Sequence, residues 1–134
     1  MTTERGRAWP LFVAAGAAAG LGLALAGRRW LDVVEVQGRS MAPTLLPGDR
    51  LLVESLTYRR RAPRAGEVVL AVDPRAQEEL ELIKRVHAAG PALDLRGDAP
   101  GQSTDSRTFG AVPAGEVRWR AAVRYWPLRR TRRL

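Results

Sequence analysis

Residues 80–86 read LELIKRV, and the way this run is folded decides the architecture. As a strand it places Leu82, Lys84 and Val86 on one face, with Ile83, Arg85 and His87 on the other. Runs of the same kind recur outward in both directions, separated by turn signals. LDVVEV starts at residue 31, and DRLLVESL follows the turn at Pro47-Gly48. EVVLAV follows Ala65-Gly66, ALDLR follows Gly90-Pro91, and EVRWRAAVRYW ends at Trp126. No stretch among them keeps a 3.6-residue apolar period for the length of a helix, although PRAQEELEL (74–82) fits one short helical turn. Many short strands in so few residues predict a mainly β domain over 31–127, a compact coiled sheet or barrel-like fold. TYRRRAPRAG (57–66) reads as a loop, and residues 128–134 read as a basic, solvated C-terminal tail.

A different pattern precedes the strands. From Trp9 to Gly27 the chain carries no charge over 19 residues. As a helix, at ~1.5 Å per residue, that run nearly spans a hydrocarbon core of ~30 Å. Trp9 and Trp30 bracket it at the positions favoured by interfacial aromatics, and Arg28 and Arg29 follow as a polar stop. Residues 1–30 therefore read as one N-terminal transmembrane anchor. Ala24-Leu25-Ala26 also fits a signal-peptide cleavage site, and a buried helix fits the composition too. Arg5 and Arg7 on one side, against Arg28, Arg29 and Arg39 on the other, leave orientation open.

Composition removes several chemistries. The chain has 134 residues, no cysteine and a single histidine, which excludes thiol catalysis and leaves no structural zinc or His-rich metal site. No cofactor is called for. The formal charge of +8 suggests an anionic neighbour such as lipid or nucleic acid.

Against 21 arginines, Lys84 is the only lysine. A lysine amine can lose its proton in a desolvating pocket; a guanidinium effectively cannot. On an apolar face its pKa falls from ~10.4, and the neutral amine can serve as a general base toward a hydroxyl nucleophile. Snorkelling to water is the bland alternative. A hydroxyl partner is available at GRSMAPTLLPGDRLLV (38–53), where Ser40 sits at the mouth of a strand-turn-strand unit with Pro43 restricting the turn. GDAPGQSTDSRTFG (97–110) is a small polar loop of the type that hydrogen-bonds a buried polar site. His87 lies on the face opposite Lys84 and reads as a surface residue.

Taken in this order, SMAPTL, IKRV and GDAPGQSTDSRTFG resemble the three boxes of the type I signal peptidase family of Ser-Lys endoproteases. RYWP (124–127) recurs in members as well. The resemblance implies Ser40 as nucleophile and Lys84 as general base, with Ser103 hydrogen-bonding and orienting the lysine. It implies that Asp98, Asp105 and Arg107 form ion pairs holding the loop against the strand that carries Arg85. It further implies precursor protein substrates with small residues at −1 and −3 of the cut. The catalytic domain would lie on the extracytoplasmic side of the plasma membrane.

The chain departs from the family pattern at several positions. Many bacterial members have a serine two residues before the nucleophile that helps bind the oxyanion; here it is Gly38, as in the mitochondrial inner-membrane branch. Ala99-Pro100 replaces the usual Asn-Arg, and Trp119 stands where Gly is common. The large second domain of longer members is absent, which leaves a dedicated maturation protease for one client, of the nickel superoxide dismutase type, beside a general signal peptidase. The non-enzymatic alternative is a membrane-tethered basic module binding anions through residues 59–64 and the tail. No nucleic acid partner is expected for the peptidase.

Overall fold

The computed structural model describes residues 9–77 and 80–134, with side-chain surroundings given from Val13 onward. Arg5 and Arg7 lie outside the described residues, as does the side chain of Trp9. The chain forms two units, Met1–Trp30 and Leu31–Leu134. The first contains helix α1, Trp9–Gly27. Its described side chains show no buried stripe, and Val13, Leu21, Leu23 and Leu25 are all exposed. Among the described residues no helix is long and apolar enough to cross a membrane.

The second unit is built from antiparallel strands. These are β1 (Leu31–Glu35), β2 (Arg50–Glu54), β3 (Val68–Val72), β4 (Glu81–Ala88), β5 (Ala92–Arg96), β6 (Val112–Pro113), β7 (Trp119–Trp126) and β8 (Arg132–Arg133). The strand path runs β1-β2-β7-β3-β4-β5-β6, with β8 beside β7. Among the described residues β1 and β6 stand unpaired with each other at the two ends of this path, so the sheet is open.

Two cores flank the sheet, and β3 feeds both, as expected for a central strand covered on both faces. Val68 and Leu70 join Val36, Met41, Leu45, Leu51, Val53 and Ala121, while Val69 and Ala71 join Val86, Leu93, Leu95, Val112 and Val117. Each fully buried Val or Leu contributes ~1.5–3 kcal/mol relative to exposure, so these two clusters dominate the domain's stability. Trp119 is half-buried and packs on the first core, which accounts for a large ring where a glycine is common. The turn at Ala65-Gly66 depends on glycine, since Gly66 has φ 91°.

Two local expectations fail. The C-terminal residues are not a free tail, although the Arg132 and Arg133 side chains are exposed: Arg133 pairs with Val123 and Arg132 with Arg124. The Leu134 N–H donates to the Ala122 carbonyl at 3.0 Å, and Leu134 packs on the first core. Arginine density hid a strand whose backbone completes the free edge of β7. Residues 74–77 form a turn and a bend, not a helical turn; the Asp73 carboxylate accepts from the Arg75 N–H at 2.9 Å and closes the chain early. Glu78 and Glu79 of that stretch lie outside the described residues.

Candidate active site

After β1 the chain turns sharply to deliver Ser40. Gly38 has φ 95°, with nothing within 4 Å of where a Cβ would sit, so backbone conformation and not space favours glycine there. The turn is closed by Ala42 N–H to the Arg39 carbonyl (3.1 Å) and Leu45 N–H to the Met41 carbonyl (2.9 Å). Met41 and Leu45 are buried, so the apolar side chains at those two positions anchor the turn while Ser40 stays partly accessible. No acceptor among the described residues takes the Ser40 N–H.

Ser40 and Lys84 line one pocket, of about 390 Å³, together with Gly38, Val34, Val36, Met41, Leu82 and Ile83. Lys84 is only 2% exposed and pairs with Val69 of β3. Its pKa is lowered, chiefly by desolvation and further by Arg107, with Asp105 opposing. A buried amine with a depressed pKa is what a lysine base requires. Among the described residues, pairing with β5 starts only at Arg85, so the β5 side of Glu81–Lys84 takes no strand partner, and these four residues line the pocket.

Asp105 organises the loop at 97–110. It is fully buried and caps the short helix α2, Ser106–Phe109. It accepts from the Gly97 N–H (2.9 Å) and the Ser103 hydroxyl (2.6 Å), and it is ion-paired to Arg107 (2.5 Å). The Arg107 hydrogen bonds, above all, hold its carboxyl well below the usual carboxylate range. No Lys84–Ser103 hydrogen bond forms among the described residues. A buried carboxylate accepts the serine proton more strongly than a neutral amine does, and this leaves the Ser103 lone pairs free to accept.

Asp98 takes a bidentate pair from Arg85, at 2.8 and 2.7 Å, and Arg85 also donates to the Gly66 carbonyl at 2.8 Å. Burial alone would raise the Asp98 pKa, but the hydrogen bonds and charge of Arg85 bring it below its ordinary value. Arg85, Asp98 and Arg107 line a second pocket with the exposed His87, not the one that holds Lys84.

Three contributions were not apparent from the residues alone. The Ala99 N–H donates to the Ser40 carbonyl at 2.8 Å, tying the two loops together. Gly97 sits in that junction, where an added Cβ would lie 2.5 Å from the Ser40 carbonyl oxygen and 2.6 Å from Ser103 Cβ. The third is a buried ionic clamp: Asp49 accepts from Leu46 N–H (2.9 Å) and pairs with Arg124 (3.4 Å) and Arg130 (3.3 Å). Arg124 also donates to the Thr44 carbonyl, so the turn after Ser40 is fastened to β7. No residue pattern marked it: β7 carries two arginines, Arg120 and Arg124, and only burial singles out Arg124.

The family described as Signal peptidase, peptidase S26 matches residues 8–93, a span that contains Gly38, Ser40, Lys84 and Arg85 and stops short of the 97–110 loop. The mitochondrial ATP-independent inner membrane protease subunit 1a of Arabidopsis thaliana is 32% identical over 121 residues, covering 72% of this chain and 71% of that protein. The human mitochondrial inner membrane protease subunit 1 is 30% identical over 117 residues, covering 72% and 70%. A probable signal peptidase I-2 of Synechocystis is 28% identical over 137 residues, covering 71% and 63%.

Proposed function

The chain belongs to the signal peptidase family, peptidase S26, and is a peptidase; on that premise we propose that it removes N-terminal signal or leader peptides from precursor proteins by a Ser-Lys dyad. The observation that carries this reading is the buried Lys84 lining one pocket with Ser40. Neutral Lys84 accepts the Ser40 hydroxyl proton as Oγ bonds to the scissile carbonyl carbon. The Ser40 N–H donates to the oxyanion. The lysinium then protonates the leaving amine, the C–N bond breaks, and an acyl-enzyme remains. Lys84, neutral again, takes a proton from water, whose oxygen attacks the ester; that proton returns to Ser40 as the acid product leaves. Ser103 is a positioning residue here. Because its own proton is given to Asp105, Ser103 keeps lone pairs that can accept from a Lys84 N–H in the substrate complex, a bond not formed in this structure. This would leave the amine lone pair for Ser40.

The substrate backbone adds as a strand along the β5 side of Glu81–Lys84. Val34, Val36, Met41, Leu82 and Ile83 crowd the pocket, which supports small residues at −1 and −3. Membrane anchoring by α1 is part of the proposal. It rests on the uncharged run from Trp9 to Gly27 and on the outward-facing leucines of the helix, because a helix apolar on every side needs an apolar medium. The family resemblance, and not the anchor itself, supports placing the catalytic domain on the extracytoplasmic side of a plasma membrane.

The test is co-expression with candidate precursors, comparing wild type with Ser40→Ala and sequencing the product N-termini. Processing by wild type alone supports the reading; equal processing by Ser40→Ala rejects it. Recovery of the protein in the membrane after carbonate washing, with residues 1–30 intact, tests the anchor separately.

A further inference from the structure

We propose that the loop between β2 and β3 is a binding site for anionic lipid headgroups, formed by Leu56, Arg59, Arg60 and Arg64. This rests on the reading of α1 as a membrane anchor. The first residue of the second unit, Leu31, pairs with Glu54, the last residue of β2. The loop therefore leaves the sheet at the strand end where the chain enters the domain. Only Arg28, Arg29 and Trp30 separate that entry point from the end of α1.

The loop is held in shape by one carboxylate. Glu67 accepts from the Tyr58 hydroxyl (3.0 Å), from Arg61 and from the Arg64 N–H (2.9 Å), and it pairs with Arg120 (3.3 Å). Its pKa is lowered to about 2: burial alone would raise it, and hydrogen bonds from Arg61, the Arg64 N–H and Tyr58 outweigh that. Arg61 and Arg120 are thus committed internally. Arg59, Arg60 and Arg64 are exposed and take no ion-pair partner among the described residues. A pocket of about 430 Å³ opens between Leu56, Thr57, Arg60 and Arg61. At the same end of the sheet, Leu31 and Leu56 are 44% and 42% exposed. Apolar side chains beside unpaired guanidiniums suit the boundary between acyl chains and phosphate. The short covalent link of Arg28–Trp30 to the proposed anchor favours lipid over a soluble polyanion.

Each cation near an anionic membrane strengthens docking roughly fivefold, so three together shift the equilibrium by on the order of a hundredfold, a gain that salt screens. The chain has no cysteine, so Ala62→Cys gives the full-length protein a single site for a fluorophore within the loop. It is reconstituted into phosphatidylcholine vesicles, or equimolar phosphatidylcholine and phosphatidylglycerol, each with a trace of headgroup-spin-labelled lipid. Phosphatidylglycerol should raise quenching roughly twofold or more, as expected for a charge-driven dock. High salt, or Arg59→Gln/Arg60→Gln/Arg64→Gln, should abolish the rise. Equal quenching in both vesicles, or a rise that survives the triple substitution, overturns the proposal, as does a response to a short DNA oligonucleotide without one to phosphatidylglycerol. Flotation with phosphatidylcholine vesicles after a carbonate wash keeps the premises apart. Loss of flotation overturns the anchor and the loop proposal with it, whereas equal quenching with flotation intact overturns the loop alone.

Discussion

The Ala99 N–H donates to the carbonyl of Ser40, so the backbone of the proposed nucleophile is held by a loop 59 positions further along the chain. Gly97 makes this approach possible, since a Cβ there would lie 2.5 Å from the same carbonyl oxygen. Gly97→Ala should therefore displace Ser40 or the loop. We expect a loss of stability of ~1–3 kcal/mol, typical of overpacking. Activity per folded molecule should fall by on the order of a hundredfold or more, since a shift of ~1 Å costs that much. Thermal melts and active-site-titrated kinetics check both; wild-type turnover in the alanine variant would show that the junction does not position Ser40.

Ser103→Ala removes the hydroxyl that donates to Asp105 at 2.6 Å. Asp105 keeps its bonds from Gly97 and Arg107. The stability loss should thus stay near the ~1.5–3 kcal/mol of a hydrogen bond to a charged group. On the proposed role of Ser103 the effect on turnover should be far larger, because the lysine would lose the acceptor that aims its lone pair in the substrate complex. A fall in kcat of orders of magnitude with KM little changed is the expected result. An unaltered kcat would mean that the loop supports the fold without serving Lys84.

Much of this was legible from alternation and turn residues. LELIKRV set Lys84 on the face of Val86, and both are buried. β3 was readable as an apolar run bounded by Gly66. Long-range backbone bonds had no signature, because the Ala99 N–H and the Ser40 carbonyl are groups that nearly every residue carries. β8 was hidden for a related reason: Arg132 and Arg133 pair through their main chains while their side chains stay exposed, so no apolar periodicity marks the strand. Asp49 and Arg124 read as ordinary turn and strand charges, and only the fold shows that both are buried.

Arg107 lowers the pKa of Lys84, while Asp105 raises it. Arg107→Gln removes the first influence and leaves Asp105 less neutralised, so both changes favour the ammonium. The acidic limb of the pH profile of kcat/KM should move to higher pH, with the plateau reached only in more alkaline solution. A limb that stays in place, or moves to lower pH, would show that Arg107 does not act on the group that titrates.

Lys84→Arg keeps the charge and removes the ability to be neutral, so it should be as inactive as Lys84→Ala. In wild type, burial depresses the amine pKa, and activity should rise as pH climbs through a value below the ~10.4 of free lysine. Stability follows the same sign. The unfolded chain binds the proton more tightly than the folded one. The cost of folding is therefore full below the folded pKa and fades as pH rises from that value toward ~10.4. Lys84→Met removes the cost and should stabilise the protein at neutral pH by on the order of 1 kcal/mol, the usual gain when a strained functional residue is replaced. Melts of wild type and Lys84→Met across pH, beside a pH–rate profile on a peptide with alanine at −1 and −3, test both halves. Substantial turnover by Lys84→Arg would show that Lys84 supplies charge alone and would remove the basis for a Ser-Lys mechanism.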